Sequence, residues 1–198
     1  PIRRRTVQSD PAYAAMVENL DTNVGRLLAA LERTGQAADT LVVFTSDNGG
    51  LSTAEGSPTC NAPLAEGKGW MEEGGVREPL IVRWPGVVAA GSVDATPVSS
   101  PDFFPTFVAA AGGLGAAAPE SDLDALGVEG VDLGPVLRGT ELDERPPFWF
   151  YPHYSNQGGS PGAAVRRGRW KLIHRFEDGS DELYDLATDL GEDRDVAA

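Results

Sequence analysis

The chain has 198 residues, 41% of them hydrophobic, and 30 acidic against 16 basic residues give it a formal net charge of −14. That size suits one domain with a sizeable core, and the acidic balance argues against nonspecific nucleic-acid binding, which needs clustered Lys and Arg to neutralise phosphate. The single cysteine, Cys60, excludes an internal disulfide framework, and no run approaches the ~20 apolar residues of a membrane span.

In chain order, the tract Arg3-Arg4-Arg5 reads as a solvated surface run. From Asp10 to Arg33, Tyr13, Met16, Val17, Leu20, Val24, Leu27, Leu28 and Leu31 recur at three- and four-residue steps, the period of one helix face. Ser9 or Asp10 can cap this helix, Pro11 suits its first turn, and Gly35 suits a left-handed exit. The apolar, β-branched run Leu41-Val42-Val43-Phe44-Thr45 predicts a buried strand, and Leu80-Ile81-Val82-Arg83-Trp84 predicts a second, ended by Pro85-Gly86. Between them lies a Gly-rich stretch from Gly49 to Pro79 with little periodicity; a loop of that length inside a domain is read here as functional.

Ser100 to Ala111 predicts another helix, capped by Ser100 or Pro101-Asp102 and stopped by Gly112-Gly113, and Leu114 to Glu129 reads as a surface loop. After Pro146-Pro147 short strands follow: Phe148 to Tyr151, Ala163 to Arg166, Trp170 to His174 and Glu182 to Tyr184, divided by turns such as Asp178-Gly179. The expected organisation is an α/β layered region over residues 1–145, with ligands at the C-terminal ends of its strands, and a small antiparallel sheet over residues 146–198.

Chemistry concentrates after the first strand. Asp47 and Asn48 offer a carboxylate and a carboxamide carbonyl, hard oxygen donors suited to calcium or magnesium; Asp-Asn-Gly is equally a turn sequence with no ligand at all. Lys68 stands between Gly67 and Gly69, where glycines let the backbone approach closely and the ammonium meet an anion; alone it also reads as a solvated lysine. His153, in Tyr151-Pro152-His153-Tyr154, follows a strand end in an aromatic, turn-rich segment and on its own also reads as an ordered surface histidine, while His174 reads as structural or exposed. Cys60 reads as a loop or half-buried thiol, with no electropositive setting to activate it. Asp21 and Asn23 belong to the polar face of the long helix.

The joint pattern resembles the type I, formylglycine-dependent sulfatases of the alkaline-phosphatase-like superfamily. It is carried by Asn19-Leu20-Asp21-Thr22-Asn23-Val24-Gly25-Arg26-Leu27-Leu28, Phe44-Thr45-Ser46-Asp47-Asn48-Gly49, Gly67-Lys68-Gly69 and Gly74-Gly75-Val76-Arg77-Glu78-Pro79. Asp102-Phe103-Phe104-Pro105-Thr106, Arg169-Trp170-Lys171-Leu172-Ile173 and Glu182-Leu183-Tyr184-Asp185-Leu186 continue it. The resemblance implies the C-terminal half of the family's α/β domain plus its small antiparallel subdomain. It gives Asp47 and Asn48 as two ligands of an active-site calcium, with magnesium an alternative, and Lys68 as a sulfate contact. It also places His153 near the mouth of a site for a sulfated carbohydrate or other small sulfate ester, since family members acting on sulfated sugars carry a similar aromatic stretch.

The same resemblance implies a formylglycine nucleophile and acid and base histidines upstream of Pro1, in an N-terminal half that the chain, opening without methionine, would need as its partner. Cys60-Asn61-Ala62-Pro63-Leu64 has Leu64 where the family's C-x-P-x-R signature requires arginine, and Glu78 replaces a more usual valine. The expectation is therefore sulfate ester hydrolysis by the longer protein, an inactive fragment on its own, and export to the periplasm or outside the cell. Phosphodiester or phosphonate monoester hydrolysis, and a binding module without catalysis, are the competing readings.

Overall fold

A computed structural model describes residues 8–54, 56, 58–112, 123 and 125–197; the Arg3-Arg4-Arg5 run and much of the loop expected from Leu114 lie outside the described residues. The helices are α1 (Pro11–Arg33), α2 (Glu73–Val76), α3 (Phe103–Ala110) and α4 (Gly134–Leu137). The strands are β1 (Val42–Thr45), β2 (Leu80–Arg83), β3 (Phe148–Tyr151), β4 (Gly162–Arg167), β5 (Trp170–Arg175) and β6 (Asp181–Asp185). β1 and β2 form a two-stranded sheet, and β3 to β6 form a four-stranded one in the order β3-β4-β5-β6. The chain divides into two compact units, one of Pro1–Arg33, Phe44–Ile81 and Phe148–Ala198, the other of Thr34–Val43 and Val82–Pro147.

In the first unit, Asp10 caps α1: its Oδ1 accepts hydrogen bonds from the amides of Ala12 (2.8 Å) and Tyr13 (3.0 Å), donors that a helix start leaves unpaired. The apolar stripe predicted for α1 is present but uncovered, with Leu20 52% and Leu27 68% exposed and no residue of the helix buried. The polar-face reading holds too, with Asn23 bonded to Asn19 and Arg26.

The four-stranded sheet is an antiparallel meander, with Ala164 paired to Ile173 and Ile173 to Glu182. Side chains alternate between faces. Ala164, Ile173 and Tyr184 point to the face where Met71 and Leu186 complete the buried cluster and Trp149 packs against it. Phe148, Phe150, Trp170 and Leu172 stand on the exposed face. The strands begin or end one residue beyond the sequence expectation in several places, because ladder pairing extends to Gly162, Arg175 and Asp181.

In the second unit, the helix expected from Ser100 is split into a 3-10 turn, Ser100–Asp102, whose N-cap is Ser99, and α3, whose N-cap is Asp102, one of the caps expected. Asp102 is the reason. Its fully buried carboxylate accepts from the amides of Ser99 (2.9 Å) and Val131 (3.0 Å) and from both terminal nitrogens of Arg145 (3.0 and 3.1 Å). Burial alone would raise its pKa; the Arg145 fork and the two amides outweigh that and hold the carboxyl below its usual range. Thr106 extends the hub by donating to Asp102 O at 2.6 Å and accepting from the Leu133 amide at 2.8 Å, which seats α4.

Candidate functional site

The stretch after β1 turns sharply, and Ser46 Oγ donates to the carbonyl of Asn48 at 2.9 Å. Asp47 is exposed and Asn48 half-buried. Gly49 must be glycine here: its amide donates to Gly75 O at 3.1 Å, and a Cβ on it would lie 1.7 Å from Gly74 O.

The carbonyl of Gly50 then joins the two halves of the site. It accepts from Asn61 Nδ2 at 2.8 Å and from the backbone amide of Lys68 at 3.2 Å. Asn61 Nδ2 also reaches Glu66 O (2.9 Å), and Ser52 Oγ donates to the same carbonyl at 2.7 Å. The Gly-rich stretch read as functional is thus an ordered, hydrogen-bonded loop that holds Lys68 eighteen residues from Gly50 in sequence yet bonded to it. The Asp47 carboxylate, the Asn48 carboxamide and the Lys68 ammonium enter no hydrogen bond or ion pair among the described residues.

Glu78 lies within reach of the Asp47 charge at this end. Burial, and then the charge of Asp47, push its carboxyl up, and its Oε1 is buried with no hydrogen-bond partner among the described residues. Arg77 does not pair with it; that guanidinium reaches Glu73 at 3.5 Å instead.

The loop after β3 is fastened immediately beyond Lys68. Trp70 Nε1 donates to Gln157 O (3.0 Å) and Thr53 Oγ1 (3.1 Å), and Thr53 Oγ1 donates to Gln157 O at 2.7 Å. Backbones touch here: a Cβ on Gly159 would lie 1.8 Å from Gly69 O, and Gly69 adopts φ 87°, a conformation that favours glycine. This clasp brings the segment carrying His153 and Tyr154 next to Gly69. His153 is exposed and stands edge-on to Tyr151, ring centres 6.0 Å apart.

His174 pairs with Asp181 at 2.8 Å on the exposed sheet face, away from these groups. Cys60 is half-buried, its amide bonded to Gln8 Oε1 at 2.7 Å. Among the described residues no three His, Cys, Asp or Glu side chains gather as a metal cage.

Sequence reasoning missed a group of buried charges beside the site. Lys171 and Glu73 are fully buried and paired at 3.0 Å, and Glu192 stands 3.0 Å from the same ammonium. The strand pattern held one signal, since a lysine at an inward β position, beside Ile173, must find an anion.

Comparisons with known proteins agree with this layout. The "Sulfatase" family model matches residues 2–114, and the model described as "N-sulphoglucosamine sulphohydrolase, C-terminal" matches residues 66–198. A sulfatase from Formosa agariphila is 38% identical over 98% of this chain, which spans 36% of that relative's length. Ps i-CgsB, solved with k-i-k-neocarrahexaose, superposes with a TM-score of 0.79 at 31% identity, over 99% of this chain and 43% of its own. BT4656, solved with its substrate D-glucosamine-2-N,6-O-disulfate, gives 0.74 at 30% identity over 93% of this chain and 35% of its own. The architecture is that of the α/β, alkaline-phosphatase-like fold, and the chain belongs to the sulfatase family.

Proposed function

We propose that this chain works in sulfate ester hydrolysis on carbohydrates, as the C-terminal portion of a longer sulfatase whose nucleophile lies in the preceding portion. One observation carries the reading: the backbone amide of Lys68 donates to the carbonyl of Gly50, two residues past Asn48, so the loop bearing Lys68 is tied to the turn bearing Asp47 and Asn48, whose side chains, like the Lys68 ammonium, enter no hydrogen bond or ion pair among the described residues.

The donor chemistry fits a calcium ion. Asp47 and Asn48 are hard oxygen donors without competing partners among the described residues, and the negative charge of Asp47 is felt at Glu78, whose carboxyl is pushed up by burial and then by Asp47. They are part of a set, since calcium takes about 6–8 oxygens. A calcium ion held by Asp47 and Asn48 with further ligands would supply positive charge to the sulfuryl group. Lys68 contacts the sulfate and balances the charge that gathers there in the transition state. The glycines on either side of Lys68 let the anion approach the backbone. The Trp70 clasp orients His153 and Tyr154 as a wall for the sugar, and the sulfated glucosamine bound by BT4656 supports a substrate of that class. Cys60 does not fit the role of nucleophile, since Leu64 stands where the family's signature requires arginine.

The test is sulfate release from an aryl sulfate and from a sulfated monosaccharide by the longer enzyme, matured and calcium-loaded, beside Asp47→Ala and Lys68→Ala. Loss of about 10²-fold or more in kcat/KM for each is expected, of the order of removing one electrostatic stabiliser from an active site. An enzyme that leaves sulfate esters intact but cleaves phosphonate monoesters or phosphodiesters refutes it.

A further inference from the structure

The Lys171–Glu73–Glu192 cluster lies under the site rather than in it. Lys171 Nζ donates to Glu73 Oε1 at 3.0 Å, stands 3.0 Å from Glu192 Oε1, and lies over the Trp149 ring at 5.6 Å. Glu192 Oε2 accepts the backbone amide of Glu73 at 2.7 Å, capping the first turn of α2 from a distant segment. The other oxygen of Glu73 faces Arg77 (3.5 Å) and Arg166 (3.9 Å). A lysine and two glutamates of comparable volume to apolar residues contribute little net stability when buried, because desolvation offsets their attraction; what they impose is direction.

That direction bears on the candidate site through Gly74 and Gly75. A Cβ on Gly75 would lie 2.6 Å from Gly67 O, and Gly75 O accepts the amide of Gly49 at 3.1 Å. Gly74 sits 2.7 Å, amide to carbonyl, from Ala65. The two glycines of α2 therefore touch the residue after Asn48 and the residue before Lys68.

We propose that the Lys171–Glu73–Glu192 cluster is a positioning device that fixes α2 and thereby sets the spacing between the Asp47-Asn48 turn and Lys68. This rests on reading those three residues as the calcium and sulfate groups.

The experiment uses the longer enzyme with Lys171→Met, the conservative Lys171→Arg, and Ile173→Ala as a control that removes buried volume from the same face of β5. Three quantities are read on folded protein: kcat with an aryl sulfate, calcium Kd by titration calorimetry, and hydrogen exchange at the Gly49 and Lys68 amides. Expected for Lys171→Met are losses of about 10–100-fold in kcat and calcium affinity, the range for removing an outer partner of a metal site, with faster exchange at both amides. Lys171→Arg recovers part of each, and Ile173→Ala changes none of the three while lowering the melting temperature.

The idea is overturned if Lys171→Met behaves like Ile173→Ala. Should Lys171→Met yield no folded protein, Glu192→Leu carries the same measurements, and values within about twofold of wild type overturn it. Amide exchange needs neither metal nor substrate, so a wild-type enzyme inactive on sulfates would sink the proposed function while leaving the exchange result to judge the cluster.

Discussion

Glu192 should make the stability of the sheet-bearing unit fall as pH rises through the weakly acidic range. Burial pushes its carboxyl up from an ordinary value of 4.5 to about 7, against the opposing pull of Lys171 and the Glu73 amide and with some help from the charge of Glu72. The sign follows from proton binding. Between those two values the folded chain keeps the proton and the unfolded chain has lost it, so folding is favoured below 4.5 and that advantage is lost as pH climbs to 7.

A difference of about two and a half pH units corresponds to about 3 kcal/mol at most, at 1.36 kcal/mol per unit. Glu192→Gln keeps an oxygen to accept the Glu73 amide and has no proton to lose. Relative to wild type it should therefore gain stability by up to about 3 kcal/mol between pH 4.5 and 8, nearly all of it below pH 7. The assay is the opening free energy of the β5 amides from hydrogen exchange, corrected for the intrinsic pH dependence of exchange, in both proteins at several pH values. A wild-type-to-variant gap that stays flat across this range refutes the protonated, buried carboxyl.

Two further outcomes follow from close contacts. Gly49→Ala places a methyl 1.7 Å from Gly74 O, which forces the Asp47-Asn48 turn off α2; on the proposed reading of that turn, calcium affinity and kcat of the longer enzyme should both fall by about tenfold or more. Trp70→Phe removes the indole donor to Gln157 O and Thr53, worth about 1 kcal/mol net; KM for a sulfated sugar should rise several-fold while kinetics with a small aryl sulfate stay unchanged, and equal effects on both substrates would refute a sugar-facing role for the clasped loop.

The elements legible in the sequence are those built from local physics. The three- and four-residue spacing of Leu20, Val24, Leu27 and Leu31 sets α1 whatever it packs against, and its Asp10 cap is readable because the acceptor lies within three residues of its donors. β1 and β2 show as β-branched runs, and β3 to β6 as apolar stretches punctuated by turns. The helix after Ser99 was visible but its split was not, because Arg145, 43 residues on, decides where Asp102 points.

α2 was invisible for a stronger version of the same reason. Glu73-Gly74-Gly75-Val76 has two residues of poor helix propensity and would not form a helix on its own. It exists because Glu192 caps it from 119 residues away and Lys171 pairs with Glu73 across 98. The glycines that weaken the helix are also what let the backbone of Gly49 and Gly67 come within contact of it. Asp47, Asn48 and Lys68 are candidates named from the order of their motifs. How their turn and loop are fastened could not be read that way, because that is done by backbone carbonyls at Gly50 and Gly75, which no local pattern marks. A sequence of this kind therefore displays exposed polar residues in glycine-rich turns more readily than buried charges such as Lys171 and Glu73, whose partners lie far along the chain.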